Sequence, residues 1–173
     1  HSEIGKKSKV NFVPDTVKPA QGIEIRIMNK RGILTDNFLF NEDIKVQFLY
    51  TVRERLADVY LCALLFNSEG ILVFVSYDFD HEQSSTNFNI GKHGVGFTIP
   101  GKLMSPGMYS LSFRIGSHYQ GKLDDSDYER DNNSMCSFIV EDYESRRGND
   151  RKGTIAPRLL WYLSDHHEEL EDV

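Results

Sequence analysis

Apolar and polar residues alternate along several stretches of the chain, and this alternation predicts β-strands. In residues 43–52, DIKVQFLYTV, every second side chain is apolar, and the same period of two runs through 23–28 and 108–115. A period of two places one face of a strand on a core and turns the other face outward. Residues 59–66, VYLCALLF, are apolar throughout, which predicts a strand covered on both faces. Further strands are predicted at 71–79, 95–99 and 135–142.

Turn residues separate these stretches. The NSEG turn at 67–70 joins two strands into a hairpin. Pro100 has no N–H to donate to a ladder and therefore ends its strand, and Ser-Pro-Gly at 105–107 forms the turn into the next one. Seven or eight short strands without an amphipathic helix predict an all-β fold. We expect an antiparallel β-sandwich of about eight strands, immunoglobulin-like or jelly-roll in type.

The length of 173 residues predicts one domain. The polar and basic residues 1–20 are interpreted as a linker or extended lead-in, 21–163 as the sandwich, and 164–173 as an acidic tail. Residues 122–134 are interpreted as a long acidic loop. The formal charge of −6 argues against a general nucleic-acid binder, because neutralising phosphates needs a basic surface.

Two cysteines, Cys62 and Cys136, are expected to be free and buried. The disulfide of an immunoglobulin domain is accompanied by a Trp between the cysteines, and the only Trp here, Trp161, follows both. Free thiols are typical of a reducing compartment.

Motifs for catalysis are missing from the sequence. It contains no nucleophile elbow, no phosphate-binding glycine loop and no metal ligands at zinc spacing, so we expect a non-catalytic chain with no cofactor and no metal. An enzyme on a jelly-roll scaffold is the alternative. It would need His81, His93 and His118 to converge inside the barrel, yet each lies at the end of a predicted strand or in a loop.

Polar and aromatic side chains on the outward faces of the strands are the candidates for binding. In 108–115 the alternation turns Ser110, Ser112 and Arg114 away from the core. An Arg side chain can fork onto a carboxylate or phosphate, although it can equally pair with an acidic neighbour on the sheet. Aromatic rings combined with planar polar groups are typical of sugar recognition. The candidate carbohydrate-binding residues are Gln47, Tyr60, Tyr77, Ser112, Arg114 and His118.

The order of five motifs resembles a known family, over roughly residues 20–163. The motifs include an alternating strand after a short turn, a hairpin with Glu-Gly at its tip, and F-x-I-P followed by G-x-Y. In the sequence they are GILTDNFLFNEDIKVQFLYTV (32–52), VYLCALLFNSEGILVFVSYD (59–78), VGFTIPGKLMSPGMYSLSFRIG (95–116), CSFIVED (136–142) and GTIAPRLLWYL (153–163). This order is similar to that of the C-terminal carbohydrate-binding domain of Wzt, the ATP-binding subunit of bacterial O-antigen ABC transporters.

The resemblance implies a function for the chain. It implies that the domain binds the capped, non-reducing end of an O-antigen polysaccharide. This binding would couple completion of the polysaccharide chain to its export. ATP hydrolysis would belong to a separate domain. It also implies a homodimer that exchanges the C-terminal strand, here 154–163, and an indirect partnership with the transporter's membrane subunit at the cytoplasmic face of the inner membrane. If Arg114 lines the pocket, an acidic cap such as a sugar acid or a phosphate is favoured.

A protein-interaction sandwich without glycan binding remains the alternative. Such a domain would use an exposed sheet edge or a contiguous apolar patch, whereas a glycan site would be a polar face with aromatic platforms.

Overall fold

The computed structural model describes residues 6–81, 86–119, 121–125, 135–157 and 159. These residues form ten strands and a short 3₁₀ turn at Gly148–Asp150. The strands are β1 (Lys9–Asn11), β2 (Ala20–Met28), β3 (Asn37–Leu39), β4 (Ile44–Val52), β5 (Val59–Asn67), β6 (Leu72–Tyr77), β7 (Gly91–Ile99), β8 (Gly107–Ser117), β9 (Gly121–Asp125) and β10 (Cys136–Glu141). They build two sheets, and the prediction of an all-β sandwich is confirmed.

The smaller sheet has the order β1-β2-β4-β7, with antiparallel pairing throughout. The larger sheet runs β3-β10-β8-β5-β6, and β9 pairs with the end of β8. The parallel pairing of β3 with β10 departs from the purely antiparallel expectation. Strand β5 lies between β8 and β6, and Leu61 to Leu65 are all buried, as the uninterrupted apolar run predicts.

Aromatic rings join the two sheets in the core. Phe48 of β4 stacks on Phe113 of β8, with ring centroids 4.4 Å apart and planes 4° from parallel. Phe138 of β10 packs edge-on against Phe38 and stacks on Tyr109. The alternate positions of β4 and β8 that point inward are buried, because both strands keep the period of two along their whole length.

The N-terminal segment is more structured than a linker. Lys7 exchanges backbone hydrogen bonds with Ser137 of the larger sheet, and β1 then pairs with β2 of the smaller sheet. A segment expected to be a lead-in therefore contributes to both sheets.

The first residues of the acidic loop predicted at 122–134 belong to a strand instead. Residues 121–125 form β9, which pairs with β8 from Arg114 to Ser117. Asp124 fixes this hairpin to the smaller sheet: its carboxylate accepts hydrogen bonds from the backbone N–H of Gly22 and from Nζ of Lys18, both at 2.7 Å.

The start of the segment expected to exchange between protomers pairs within its own chain. Ser105 N donates to Thr154 O, and Ala156 N donates to Leu103 O. Residue 158 and residues 160–173 lie outside the described part of the chain, and with them half of the predicted exchange strand and the whole predicted acidic tail.

Cys62 and Cys136 are both buried, and no disulfide joins them, as expected. In the described part of the chain, no helix is long and apolar enough to cross a membrane.

Candidate carbohydrate-binding face

Four aromatic side chains meet on the outer face of the larger sheet, and we call them the aromatic cluster. They are Tyr60 of β5, Tyr77 at the end of β6, Phe79 just beyond it and His118 just after β8. Tyr77 and Phe79 stack with centroids 4.9 Å apart, and Tyr60 lies 5.8 Å from Tyr77 and 5.0 Å from His118. The structure thus unites three of the predicted site residues and adds Phe79.

The backbone beneath the cluster holds these rings in place. Tyr60 lies opposite Gly116 in the ladder between β5 and β8, and its ring fills the space above that glycine. Because Gly116 has no side chain, the ring packs against the sheet itself. The backbone of His118 is fixed as well, because its main-chain N–H donates a hydrogen bond to Asp58 O at 3.2 Å.

The turn after β6 is fixed by two carboxylates. Asp78 accepts a hydrogen bond from Leu61 N at 3.0 Å and another from the hydroxyl of Thr86. Asp80 accepts one from Tyr77 N at 2.7 Å. These bonds set the direction in which Tyr77 and Phe79 leave the strand.

The cluster is accessible to a ligand. Phe79 is 52% exposed and Tyr77 36% exposed, and His118 is exposed as well, while Tyr60 is half-buried. Aromatic rings held in this way present flat apolar faces beside hydroxyl and imidazole groups. Such a surface suits the apolar C–H face of a sugar ring.

Arg114 lies on the same face, two strands away from Tyr77. The ladder places Arg114 opposite Cys62 in β5, and Cys62 opposite Tyr77 in β6. With strands about 4.8 Å apart, the Cα atoms of Arg114 and Tyr77 are separated by about 10 Å. On its other side, the backbone ladder places Arg114 opposite Asp125 of β9.

Ser112 faces the predicted way but is not exposed. It stands opposite Leu64, on the face away from the core, yet its exposed fraction is 0%, and that of Ser110 is 8%. The alternation predicts only that both serines point away from the core, and the structure adds that both are covered. The period of two gives the direction of a side chain, and larger neighbours on a central strand cover one as small as Ser.

Gln47 lies on the other sheet. It belongs to β4 and faces outward between Arg26 and Gly96. The structure therefore does not bring Gln47 together with the other five predicted residues, since the sandwich core separates the two outer faces.

The same outer face of the smaller sheet holds a buried carboxylate. Glu24 is 6% exposed and is paired with both Lys9 and Arg26. Burial alone would raise the pKa of the Glu24 carboxyl, but hydrogen bonds and positive charge from Lys9 and Arg26 outweigh burial and lower the pKa from 4.5.

The two sheets separate at the β6–β7 side and leave a cleft of about 420 Å³. Its apolar walls include Leu61, Val95, Phe97 and Phe113, and Asp78 and Thr86 lie at its polar end. The sequence did not predict this opening, because nothing in a strand's own pattern shows how far apart two sheet edges lie.

The histidines of the enzyme alternative lie in different places. His93 belongs to β7, packs against Tyr50 at 5.4 Å and hydrogen-bonds Asn89 O, whereas His118 lies in the aromatic cluster. Among the described residues, no group of three His, Cys, Asp or Glu side chains is placed to hold a metal ion.

Comparison with solved structures identifies the class of fold. The chain superposes on the crystal structure of the C-terminal domain of wzt with a TM-score of 0.64, covering 95% of this chain and 90% of that one. The sequence identity is 14%, so this likeness defines the fold: the sandwich is that of the Wzt C-terminal domain, as the order of motifs predicts.

Two other likenesses are weaker. A β-glucosidase from Listeria innocua in complex with glucose matches 67% of this chain and 16% of its own, at 10% identity and a TM-score of 0.37. The CARDB domain of a Pyrococcus furiosus protein in complex with di-metal ions matches 82% of this chain and 97% of its own, at 11% identity and a TM-score of 0.35. Neither score is high enough to support a functional conclusion. No family model matches the sequence, and no curated protein matches it significantly.

Proposed function

We propose that this chain is a non-catalytic carbohydrate-binding domain and that the aromatic cluster is its binding surface. The observation that carries the proposal is the grouping of Tyr60, Tyr77, Phe79 and His118 on one accessible sheet face. Rings pinned by backbone contacts lose little conformational freedom on binding, which favours recognition by stacking.

The ligand in this proposal is the capped terminus of a bacterial O-antigen polysaccharide. Support comes from the Wzt-type fold together with the motif order. In this role the domain couples chain completion to export by an ABC transporter, works at the cytoplasmic face of the inner membrane and contacts the membrane subunit indirectly. Arg114, on the same face as the cluster, then favours an acidic cap.

Exchange of the C-terminal strand between two protomers also belongs to the proposal, on the strength of the resemblance. Since residues 154–156 pair with 103–105 of the same chain, the exchange would begin beyond Ala156, where Pro157 interrupts backbone pairing.

Calorimetric titration with purified polysaccharides tests the proposal. The panel contains a capped O-antigen chain, its uncapped form and an unrelated glycan. We expect heat only from the capped cognate chain, with weak, micromolar binding as is usual for stacking sites. An absence of binding to every glycan at about millimolar protein would reject the proposal.

Single substitutions then locate the surface. Tyr77→Ala and Phe79→Ala each remove an exposed ring and should weaken binding about tenfold, or about 1.4 kcal/mol. Gln47→Ala is the matched control, because Gln47 lies on the opposite face. Loss of binding in Gln47→Ala alone would move the site to the smaller sheet. Arg114→Ala tests the acidic cap separately, and unchanged affinity in a folded Arg114→Ala variant would reject it.

A further inference from the structure

The cleft between the two sheets exists because the core is left open on its β6–β7 side. In β4, Val46 and Phe48 are each 2% exposed. Their partners in β7, Phe97 and Val95, pack against the same core but are only half-buried. The inward apolar side chains of β7 therefore line an opening and not a sealed interior.

Small side chains on the larger sheet keep this opening wide. Ala63 of β5 belongs to the core, and Ser76 of β6 stands opposite it in the ladder, so both face the cleft. The cleft measures about 420 Å³. A cavity of about 150 Å³ accommodates benzene, and ligand pockets usually measure about 300–1,000 Å³. The space therefore suits a short apolar chain or a ring.

The polar end of the cleft carries negative charge. Asp78 is half-buried and pairs through its backbone N–H with Leu61 O of the core, and the exposed Asp80 lies beside it. The described lining also includes His81 but no lysine or arginine. Among the described residues, neither carboxylate forms an ion pair. A half-buried carboxylate at the end of an apolar cleft favours a cationic ligand, because such a ligand neutralises the charge.

Both carboxylates are fixed in place and keep acceptor positions for a ligand. Asp78 accepts hydrogen bonds from Leu61 N and from the hydroxyl of Thr86, and Asp80 accepts one from Tyr77 N. An ionised carboxylate has about four acceptor positions, so these bonds leave some of them for further donors. A primary ammonium group, with three N–H donors and a positive charge, matches this end of the cleft.

We propose that the cleft binds a small amphiphile with an apolar body and one primary ammonium group. The apolar body lies between Val95, Phe97 and Phe113. The ammonium group donates hydrogen bonds to the carboxylates of Asp78 and Asp80. Removal of the apolar body from water drives binding, and the two carboxylates select the charge of the head group. This site rests on the cleft alone and does not depend on the carbohydrate function.

Three probes with the same apolar chain and different head groups test the proposal. Octylamine carries an ammonium group, octanol a neutral hydroxyl group and octanoate a carboxylate. In calorimetric titrations of the whole chain, we expect octylamine to bind at least about tenfold more tightly than octanoate, with octanol between them. In methyl NMR spectra, octylamine should shift the signals of Val95 and leave those of Val10 unchanged, because β1 and β7 lie at opposite edges of the smaller sheet.

Two substitutions separate the apolar part of the cleft from its charged end. Ser76→Leu fills the cleft and should weaken octylamine binding about tenfold or more. Thr98→Leu is the matched control, since it adds the same side chain to the exposed outer face of β7. Asp80→Asn keeps an acceptor for Tyr77 N but removes one charge, so it should weaken octylamine about three- to fivefold and leave octanol unchanged. Circular dichroism confirms that each variant is folded.

Three outcomes would overturn the proposal. They are an absence of octylamine binding at about millimolar concentration, equal affinity for the three probes, and full affinity for octylamine in a folded Ser76→Leu variant. If Ser76→Leu does not fold, the order of the probes and the shift of Val95 decide the question in the unmodified chain. Glycan titration is a separate readout, so a chain that binds octylamine in this way and no glycan retains this site and rejects the carbohydrate proposal.

Discussion

The ring of Tyr60 occupies the space that a side chain at Gly116 would need. A Cβ atom placed on Gly116 would lie 2.9 Å from Cε2 of Tyr60, closer than real side chains approach. The glycine is therefore part of the candidate site, although it offers no group to a ligand.

Gly116→Ala is expected to push Tyr60 out of the aromatic cluster. The change should lower the free energy of unfolding by about 1–3 kcal/mol through overpacking and weaken glycan binding at the same time. Gly94→Ala is the control, since its Cβ meets only the end of the flexible Leu49 side chain, on the other sheet. Urea unfolding and calorimetry measure the two effects, and a stable Gly116→Ala variant with full affinity would contradict this account of the platform.

Asp124→Asn should loosen the attachment of β9 to the smaller sheet. The substitution removes the charge that pairs with Lys18 and weakens the bond from Gly22 N, so we expect a loss of about 1–3 kcal/mol of unfolding free energy. Asp150→Asn, at an exposed position in the 3₁₀ turn, serves as the control. Equal midpoints in urea for the two variants would show that the Asp124 bridge has no net effect.

The Glu24 carboxylate predicts a specific dependence of stability on pH. Its pKa is lower in the folded state than in the unfolded chain, so its contribution is fully present above about pH 4.5 and is lost as the pH falls through the folded pKa. Glu24→Gln should therefore be less stable than the unmodified chain at neutral pH, and this difference should shrink below about pH 4. The comparison requires urea unfolding across that range, with the exposed Glu69→Gln as control. A difference in unfolding free energy between Glu24→Gln and the unmodified chain that stays constant down to pH 2 would argue against a titrating ion pair.

Cys136 should be inert in the folded protein. Burial raises the pKa of its thiol to about 12, so the thiol stays protonated near neutral pH. Its exposed fraction is 0%, so a reagent cannot reach it in the folded protein. In a Cys62→Ser background, a thiol reagent at about pH 8 should label Cys136 only as fast as the chain unfolds. Rapid labelling without denaturant, while the protein remains folded, would show that the β8–β10 region opens locally.

The long strands could be predicted from the sequence because each one carries its own periodic signal. Strand β4 keeps five inward apolar positions in nine residues, and Pro100 ends β7 immediately after Ile99. Strands β1, β3 and β9 were missed. Two of them have three residues, and β9 carries charges, so their pairing depends on distant partners rather than on a local pattern.

The candidate site was predictable only in part, for a related reason. Alternation assigns Tyr60, Tyr77 and Arg114 to outward positions, but it cannot say which of two sheets a strand joins, and so Gln47 was grouped with residues on the far side of the molecule. Phe79 had a usable signal, since it follows Tyr77 by two positions and continues the same face beyond the end of β6.

The pairing of Lys7 with Ser137 has a consequence for how the chain matures. Lys7, near the beginning of the chain, pairs with β10, which lies near the other end of the sandwich in sequence. Strand β3 also pairs with β10. Contacts between such distant segments form slowly. During synthesis on a ribosome, the early strands would therefore remain open at this seam until β10 had emerged, so the last of the described strands to be translated would be the one that completes the larger sheet.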